Sequence, residues 1–594
     1  MMMNPPYDIW LQECSKQITG MQNRSRILSW SRLFSFIAMA LTFYLGLTTI
    51  QNLLLLSLAF FIGFIILIIL QQKAWAQLSY LQNRRKALEE EVAAMDHRYV
   101  FPAGDQYIDP QHPYTYDLDI FGQSSLFAAI NRTTTKGGSD RLANLLMNPE
   151  LSPDVIKERQ TAVKELSDKP QWLLNFRIFG MQKDNLSPFS DQLPFEVLKP
   201  LFLSPFFKVL IILTPVLSIS MIALLSLGYI SIGTFGWYLI LPLAISGIYA
   251  GKILKTHSKV SRRSEILLSH SKRLILIEEE SFRSTLLSDL QNSLNSDGVT
   301  AGKAIRQLSR IITSMDARLN WLMWIILNYL LLWDIRQMRR YELWQLGHQN
   351  HMPVWFNTLY EMEALASQAG FTITNPNFCF PVCSDEPLHV KATEAGHPLI
   401  DPTRRIDNPI NIQGTGSFNI ITGANMAGKS TYLRTTGINL ILAMTGMPVC
   451  AATFTFYPAK VFTSLHTLDS LSSNKSYFFA ELERLKMIID RLQQGEQLYI
   501  LLDEILKGTN SHDKQQGSKA LLRQLTTHKA SGLIATHDLD LGTLEQSYPN
   551  NIANYSFEAE ITNNELSFSY KLQNGIARNM NATFLMKQMG ITLK

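Results

Sequence analysis

A chain of 594 residues has material for two to four domains, and with 46% hydrophobic and 17% charged residues it is richer in apolar side chains than an average soluble protein. A net charge of only +5 makes no case by itself for a nucleic-acid partner. Four cysteines, at 14, 379, 383 and 450, supply no disulfide framework and suit a reducing compartment; Cys379 and Cys383 could be half of a zinc site, but no second pair accompanies them.

Residues 1–30 are polar, with Lys16, Arg24 and Arg26, and read as a cytoplasmic segment. From Leu33 to Leu70 there is no charged side chain. A bilayer core takes about 20 apolar residues per helix, so the run predicts two spans, 33–50 and 53–70, turning at Thr48–Asn52. This places a first transmembrane hairpin at 31–71. The run is too long and starts too late for a signal peptide, and a second span follows it. A buried soluble hairpin is the alternative. Residues 71–98 carry Arg84-Arg85-Lys86 and Glu89-Glu90-Glu91 in a helical pattern and read as an amphipathic helix leaving the membrane. Residues 99–119, rich in Pro, Gly, Asp and Tyr, read as linker, so 72–118 is a helical exit and linker.

Residues 119–200 read as a helical region opened by a polar, Thr-rich turn, Asn131-Arg132-Thr133-Thr134-Thr135-Lys136-Gly137-Gly138. A second charge-free run, Val209 to Gly251, predicts another hairpin within 201–254, with Pro215 and Pro242 inside its spans. Lys208 precedes it, and Lys252, Lys255, Lys259, Arg262 and Arg263 follow. Basic residues thus flank both hairpins, which puts their ends on the cytoplasmic side. Without ionisable groups in their apolar stretches, the spans read as anchors rather than a transport path. Residues 255–375 are helical in pattern. Within them Asn320–Trp333 is strongly apolar but only about 14 residues long, which predicts a buried core helix and not a fifth span.

The last region, 376–594, carries the chemistry. Ser417–Thr422 reads as a strand, Gly423-Ala424-Asn425-Met426-Ala427-Gly428-Lys429-Ser430-Thr431 as a loop, and Tyr432 as the start of a helix. This is the pattern of a P-loop: glycines turn the backbone so that its N–H groups and the helix dipole face phosphate. Lys429 adds the point charge and Ser430 is placed to hold Mg²⁺. Gln497–Leu502 reads as a buried strand ending in Asp503-Glu504, at the sheet edge where ligands sit. Asp503 is expected to join the Mg²⁺ shell and Glu504 to polarise water. A third strand, Ser531–Thr536, ends at His537, placed to sense the γ-phosphate. The cofactors implied are ATP and Mg²⁺, and the catalytic candidates are Lys429, Glu504 and His537.

Together, Gly423–Arg434 with its Asn425-Met426, Asp503-Glu504-Ile505 followed by Gly508-Thr509-Asn510-Ser511, and Ala535-Thr536-His537 resemble the MutS family of DNA mismatch repair ATPases. Ser476-Tyr477-Phe478-Phe479-Ala480-Glu481 is similar to the family's signature segment, so the resemblance implies that Ser476 reaches the nucleotide of a partner subunit. Glu394–Leu399 is similar to the His-Pro segment that opens the ATPase domain. The Thr-rich turn and Ile156–Val163 resemble the start of the family's core domain, and the 255–375 helices could be counterparts of its levers. Departures are Ala424 and Ala427, where the family usually has Pro and Gly, and Leu506-Lys507, where it has Gly-Arg.

The fold class expected is therefore multidomain: helical transmembrane hairpins and an α-helical MutS-like core/lever domain, followed by an α/β P-loop, ABC-like ATPase domain. The resemblance implies a homodimer through the ATPase domains, opening and closing a clamp on double-stranded DNA. The expected setting is the cytoplasmic or inner membrane, with the ATPase in the cytoplasm and the lipid bilayer as a further partner. Residues 1–119 hold no Phe-x-Glu motif of the kind that reads mismatches in the family. Basic groups for DNA would come from Lys252–Arg263, which could equally face anionic lipid, and from Arg336, Arg339 and Arg340. The alternative is a membrane-tethered ATP switch acting on a protein partner; a transporter is disfavoured because no Leu-Ser-Gly-Gly-Gln signature occurs.

Overall fold

The computed structural model describes residues 7–48, 50–181, 200–260, 264–296, 298–465, 477–506, 510–562 and 565–578. It divides into two compact units: Met1–Arg132 with Ser139–Leu174 and Ala364–Lys594, and Thr133–Gly138 with Asn175–Glu363.

The first unit opens with two long helices, α1 (Tyr7–Thr48) and α2 (Leu53–Met95). Each runs well past its apolar stretch, so the polar residues before 31 and after 71 continue the same helices instead of forming separate segments. Small and polar side chains face the seam: Cys14 Sγ donates to Leu81 O at 3.3 Å, Ser35 Oγ to Phe60 O at 3.0 Å and Ser57 Oγ to Met39 O at 3.2 Å. Large apolar residues such as Phe34 and Leu55 point outward and are about 70% exposed. Small-inside, large-outside is the reverse of a water-soluble helix pair and the usual arrangement in lipid. Near its end α2 enters the unit's interior, where Glu91 pairs with Arg132 at 2.9 Å, both side chains buried.

Residues 99–119, expected to be linker, hold little regular structure beyond one short 3₁₀ turn, yet Tyr114 and Leu118, like Ile120 and Phe121 just after them, are buried in the main core. Asp117 accepts hydrogen bonds from Thr463 Oγ1 at 2.7 Å and from Arg484 at 3.2 Å, which fixes the segment to the sheet that follows. Four helices come next: α3 (Leu126–Ile130), α4 (Lys136–Met147), α5 (Pro153–Ser167) and α6 (Pro170–Gly180).

The second unit contains α7 (Pro205–Ser226) and α8 (Ile232–Val260), then α9 (Ser264–Glu278), α10 (Thr285–Asn292), a short ribbon of β1 (Asn295–Ser296) and β2 (Val299–Thr300), and α11 (Ala301–Met315). They are followed by α12 (Trp321–Leu331), α13 (Trp333–His348) and α14 (Met352–Thr374), the last of which belongs to this unit only up to Glu363. The Thr-rich turn is bound tightly here. Thr134 and Thr135 donate to the Glu363 carboxylate, Arg273 reaches it at 2.5 Å, and a Cβ at Gly138 would collide with it. Gly138 is therefore a packing requirement. The α12 expectation fails: among its residues only Asn328 is buried, while Trp321, Leu322, Met323 and Ile326 are exposed and the other apolar side chains half-buried. Among the described residues four helices, α1, α2, α7 and α8, are long and apolar enough to cross a membrane.

The chain then forms β3 (Val382–Cys383), β4 (His389–Ala395), β5 (Asn408–Gln413), β6 (Phe418–Gly423), α15 (Lys429–Met444), β7 (Thr453–Phe456), β8 (Lys460–Ser464), α16 (Tyr477–Gln493), β9 (Leu498–Asp503), α17 (Ser511–Thr527), β10 (Ser531–Thr536), α18 (Leu544–Ser547), β11 (Ile552–Thr562) and β12 (Glu565–Asn574). A six-stranded sheet has the order β12-β11-β6-β10-β9-β8, parallel except for the β11–β12 edge pair. A smaller mixed sheet, β3-β7-β4-β5, lies in the same unit. The central strands are buried on both faces, which is why they read as unbroken apolar runs.

Candidate functional site

β6, β9 and β10 are adjacent and parallel, with Ala535 in register with Asp503, so the loops after all three emerge at one carboxyl edge. After β6 the chain turns through Gly423 (φ 147°), where a Cβ would stand 2.5 Å from Phe557 O, and Gly428 (φ 108°). Only glycine meets both demands at Gly423. Because Gly428 makes the turn, α15 starts at Lys429, three residues before the expected Tyr432. Its first internal bond runs from Tyr432 N to Gly428 O, which leaves the N–H groups of Lys429, Ser430 and Thr431 without helical acceptors at the positive end of the dipole.

Lys429 is 5% exposed, and its ammonium donates to Gly423 O at 2.9 Å and Ala424 O at 2.8 Å, folded over its own loop. Ser430 Oγ donates to Asp503 Oδ2, bringing together the two groups expected to hold a metal. His537 Nε2 lies 2.8 Å from Glu504 Oε1, within reach of Asn425 Oδ1 and 3.4 Å from Lys429 Nζ. One ring nitrogen serves one of these at a time: with its proton on Nε2 it donates to an oxygen, and the lysine is then only a charged neighbour. Met426, at the loop tip, is 78% exposed, while Ala424 and Ala427 are buried beneath it. The structure thus gathers Gly423 to Thr431, Asp503, Glu504 and His537. Ser476 lies outside the described residues.

The turn after the carboxylates is held by a residue to which sequence reading gave no separate role. Glu504 and Leu506 have φ of 52° and 59°, and Leu506 N donates to the buried carboxylate of Glu481 on α16. A carboxylate on a distant helix thus does the work expected of a glycine at 506. Also missed was a cavity of about 280 Å³ beside Gly428 and Thr431, lined by Ile400, Arg405, Ile406, Phe557 and Tyr570 along with His397. No spacing pattern joins residues so far apart in the chain. Burial, with the guanidiniums of Arg434 and Arg405 nearby, holds His397 down to about 4 and hence neutral. Arg336 and Arg339, expected to offer charge to DNA, donate to Ile211 O at 3.0 Å and Phe202 O at 2.9 Å. Cys379 and Cys383 are free thiols.

A glycine turn opening a helix, with a lysine, a serine–aspartate pair and a glutamate–histidine pair at one sheet edge, brings together groups of the kinds that phosphate and divalent cations take as ligands. Residues 419–589 match MutS domain V and residues 115–184 match MutS domain III. Both matches are to domains of the MutS family, and in that family domain V carries the ATPase site.

Proposed function

We propose that this chain is a membrane-anchored MutS-like ATPase that binds ATP and Mg²⁺ at the β6–α15 P-loop and hydrolyses ATP in a composite dimer site. The convergence of Lys429, Ser430–Asp503 and Glu504–His537 at one edge carries this reading. Gly423–Thr431 cradle the phosphates, and Lys429 exchanges its loop carbonyls for phosphate oxygens. The cavity beside Gly428 accepts the base. Ser430 and Asp503 hold Mg²⁺, which neutralises charge on the transferred phosphoryl group. Glu504 takes the proton of the attacking water, with His537 orienting that carboxylate. Ser476 of a second copy completes the site.

The dimer opens and closes a clamp, and double-stranded DNA is the object the family relationship supports. A specific observation favours the alternative of a protein-directed switch: Arg336 and Arg339 spend their guanidiniums on carbonyls of 202–211. The hairpins α1–α2 and α7–α8 anchor the chain, with the ATPase in the cytoplasm. Phosphate release by the detergent-solubilised protein tests the catalytic reading. Mg²⁺-dependent turnover that disappears in Lys429→Ala is expected; equal turnover in that variant would overturn it.

A further inference from the structure

We propose that residues 316–333 are a re-entrant membrane segment: α12 enters the cytoplasmic leaflet beside α8, turns at Leu332 and leaves through α13, presenting its exposed face to lipid acyl chains. This rests on the reading of α7 and α8 as membrane-spanning.

Polarity is inverted along α12. Ten of its 11 residues are apolar or aromatic, and Trp321, Leu322, Met323 and Ile326 are 72, 51, 44 and 42% exposed. The single polar residue, Asn328, is 1% exposed; it donates to Trp324 O and accepts from Ser246 Oγ and Asp334 N. Such a helix in water would add a large apolar patch. In lipid it is the expected arrangement, with polar groups turned to protein.

Two contacts fix its depth. His257 Nε2 meets Asp316 Oδ1 at 2.8 Å, and Ser246 meets Asn328 at 3.3 Å, so α12 rises antiparallel to α8 over about 17 Å at 1.5 Å per residue. Trp321 then stands near the level of Lys252, the first charge after the apolar run, where interfacial tryptophans belong. Ser246 lies about 9 Å further in. The exposed face of α12 is thereby continuous with the lipid-facing surface of α8. At about 17 Å the helix cannot cross a core of about 30 Å, so it must turn back. On return, Arg336 bonds to Ile211 O on the first turns of α7 and Arg339 to Phe202 O just before that helix.

Backbone exposed to lipid must be satisfied internally. Asn320 Oδ1 accepts from Leu322 N and Met323 N at the helix start, and Leu332 N bonds to Asn328 O at its end. The one carboxylate at the turn, Asp334, is 2% exposed, accepts from the Trp324 indole at 2.9 Å and has Arg318 3.8 Å away. The two deep polar side chains of the turn, Asn328 and Asp334, each have a protein partner.

The test reconstitutes the full chain in phosphatidylcholine–phosphatidylglycerol vesicles with a photoreactive side chain: Ile326→benzoylphenylalanine, with Ile222→benzoylphenylalanine on α7 and Leu343→benzoylphenylalanine on the aqueous part of α13 as references. Lipid adducts at 326 and 222, lost at 343, are expected; Met323→benzoylphenylalanine repeats the measurement should the first variant misfold. Lipid at 222 with only protein adducts, or none, at 323 and 326 would overturn the re-entrant segment and leave the anchors standing. No lipid at 222 either would remove the membrane reading and this inference with it.

Discussion

In the proposed reaction Glu504 is the residue whose removal should separate binding from chemistry. Glu504→Gln keeps the size and polarity of the side chain and touches neither Lys429 nor the Ser430–Asp503 pair, so nucleotide should still bind. What it loses is a proton acceptor, which is worth about 100-fold or more in rate. Equilibrium binding of a fluorescent ATP analogue together with single-turnover hydrolysis checks this, and wild-type hydrolysis in Glu504→Gln would remove the carboxylate from its role. A second residue, His397, makes the fold sensitive to acid. Its folded value near 4 lies below the ordinary 6.5, so the unfolded chain binds the extra proton first, and stability present above 6.5 is lost as pH falls toward 4. The loss amounts to about 2 kcal/mol at pH 5. His397→Asn should flatten that part of the profile, seen as a smaller drop in thermal midpoint between pH 7 and pH 5 than in wild type.

Between elements, the join of α2 to the first unit depends on one buried ion pair. Arg132 donates through Nε to Glu91 at 3.0 Å, bonds to Ala129 O and Ile130 O, and lies over the Phe101 ring. Glu91→Ala strands a buried guanidinium, a cost of about 3–5 kcal/mol. The thermal midpoint in detergent should fall markedly, and Glu91→Leu with Arg132→Met should recover much of it, because replacing both charges removes the desolvation penalty. This pair was not legible in the sequence: Glu89-Glu90-Glu91 reads as a solvated run, and nothing local distinguishes the third glutamate. The strands were legible, since β9 and β10 are buried on both faces and their apolar runs end at Asp503 and His537. Glycine chemistry located the β6–α15 turn but set the helix start late, because Gly428 already closes it. For α12 an apolar run alone does not tell lipid from protein interior. The partners of Arg336 and Arg339 were not legible because they are backbone carbonyls 125 and 137 residues away.

At the scale of the whole chain, the proposed anchoring by four apolar helices predicts a protein that resists extraction by alkaline carbonate; recovery in the soluble fraction would sink the anchor reading. The nature of the clamped object follows from which groups remain to touch it. Two of the arginines expected to meet DNA bond to carbonyls of α7 and of Phe202 just before it, and residues 1–119 carry neither the aromatic wedge nor the carboxylate motif that reads a mispair in the family. Any duplex must then be held by phosphate contacts, which position DNA without reading its bases. Affinity should fall steeply with salt and be equal for paired and mispaired duplexes. A preference of about tenfold for a mismatch, roughly 1.4 kcal/mol, would mean that other residues had taken the wedge's place. Loss of all duplex binding at low salt, in a protein that still hydrolyses ATP, would assign the clamp to a protein partner instead.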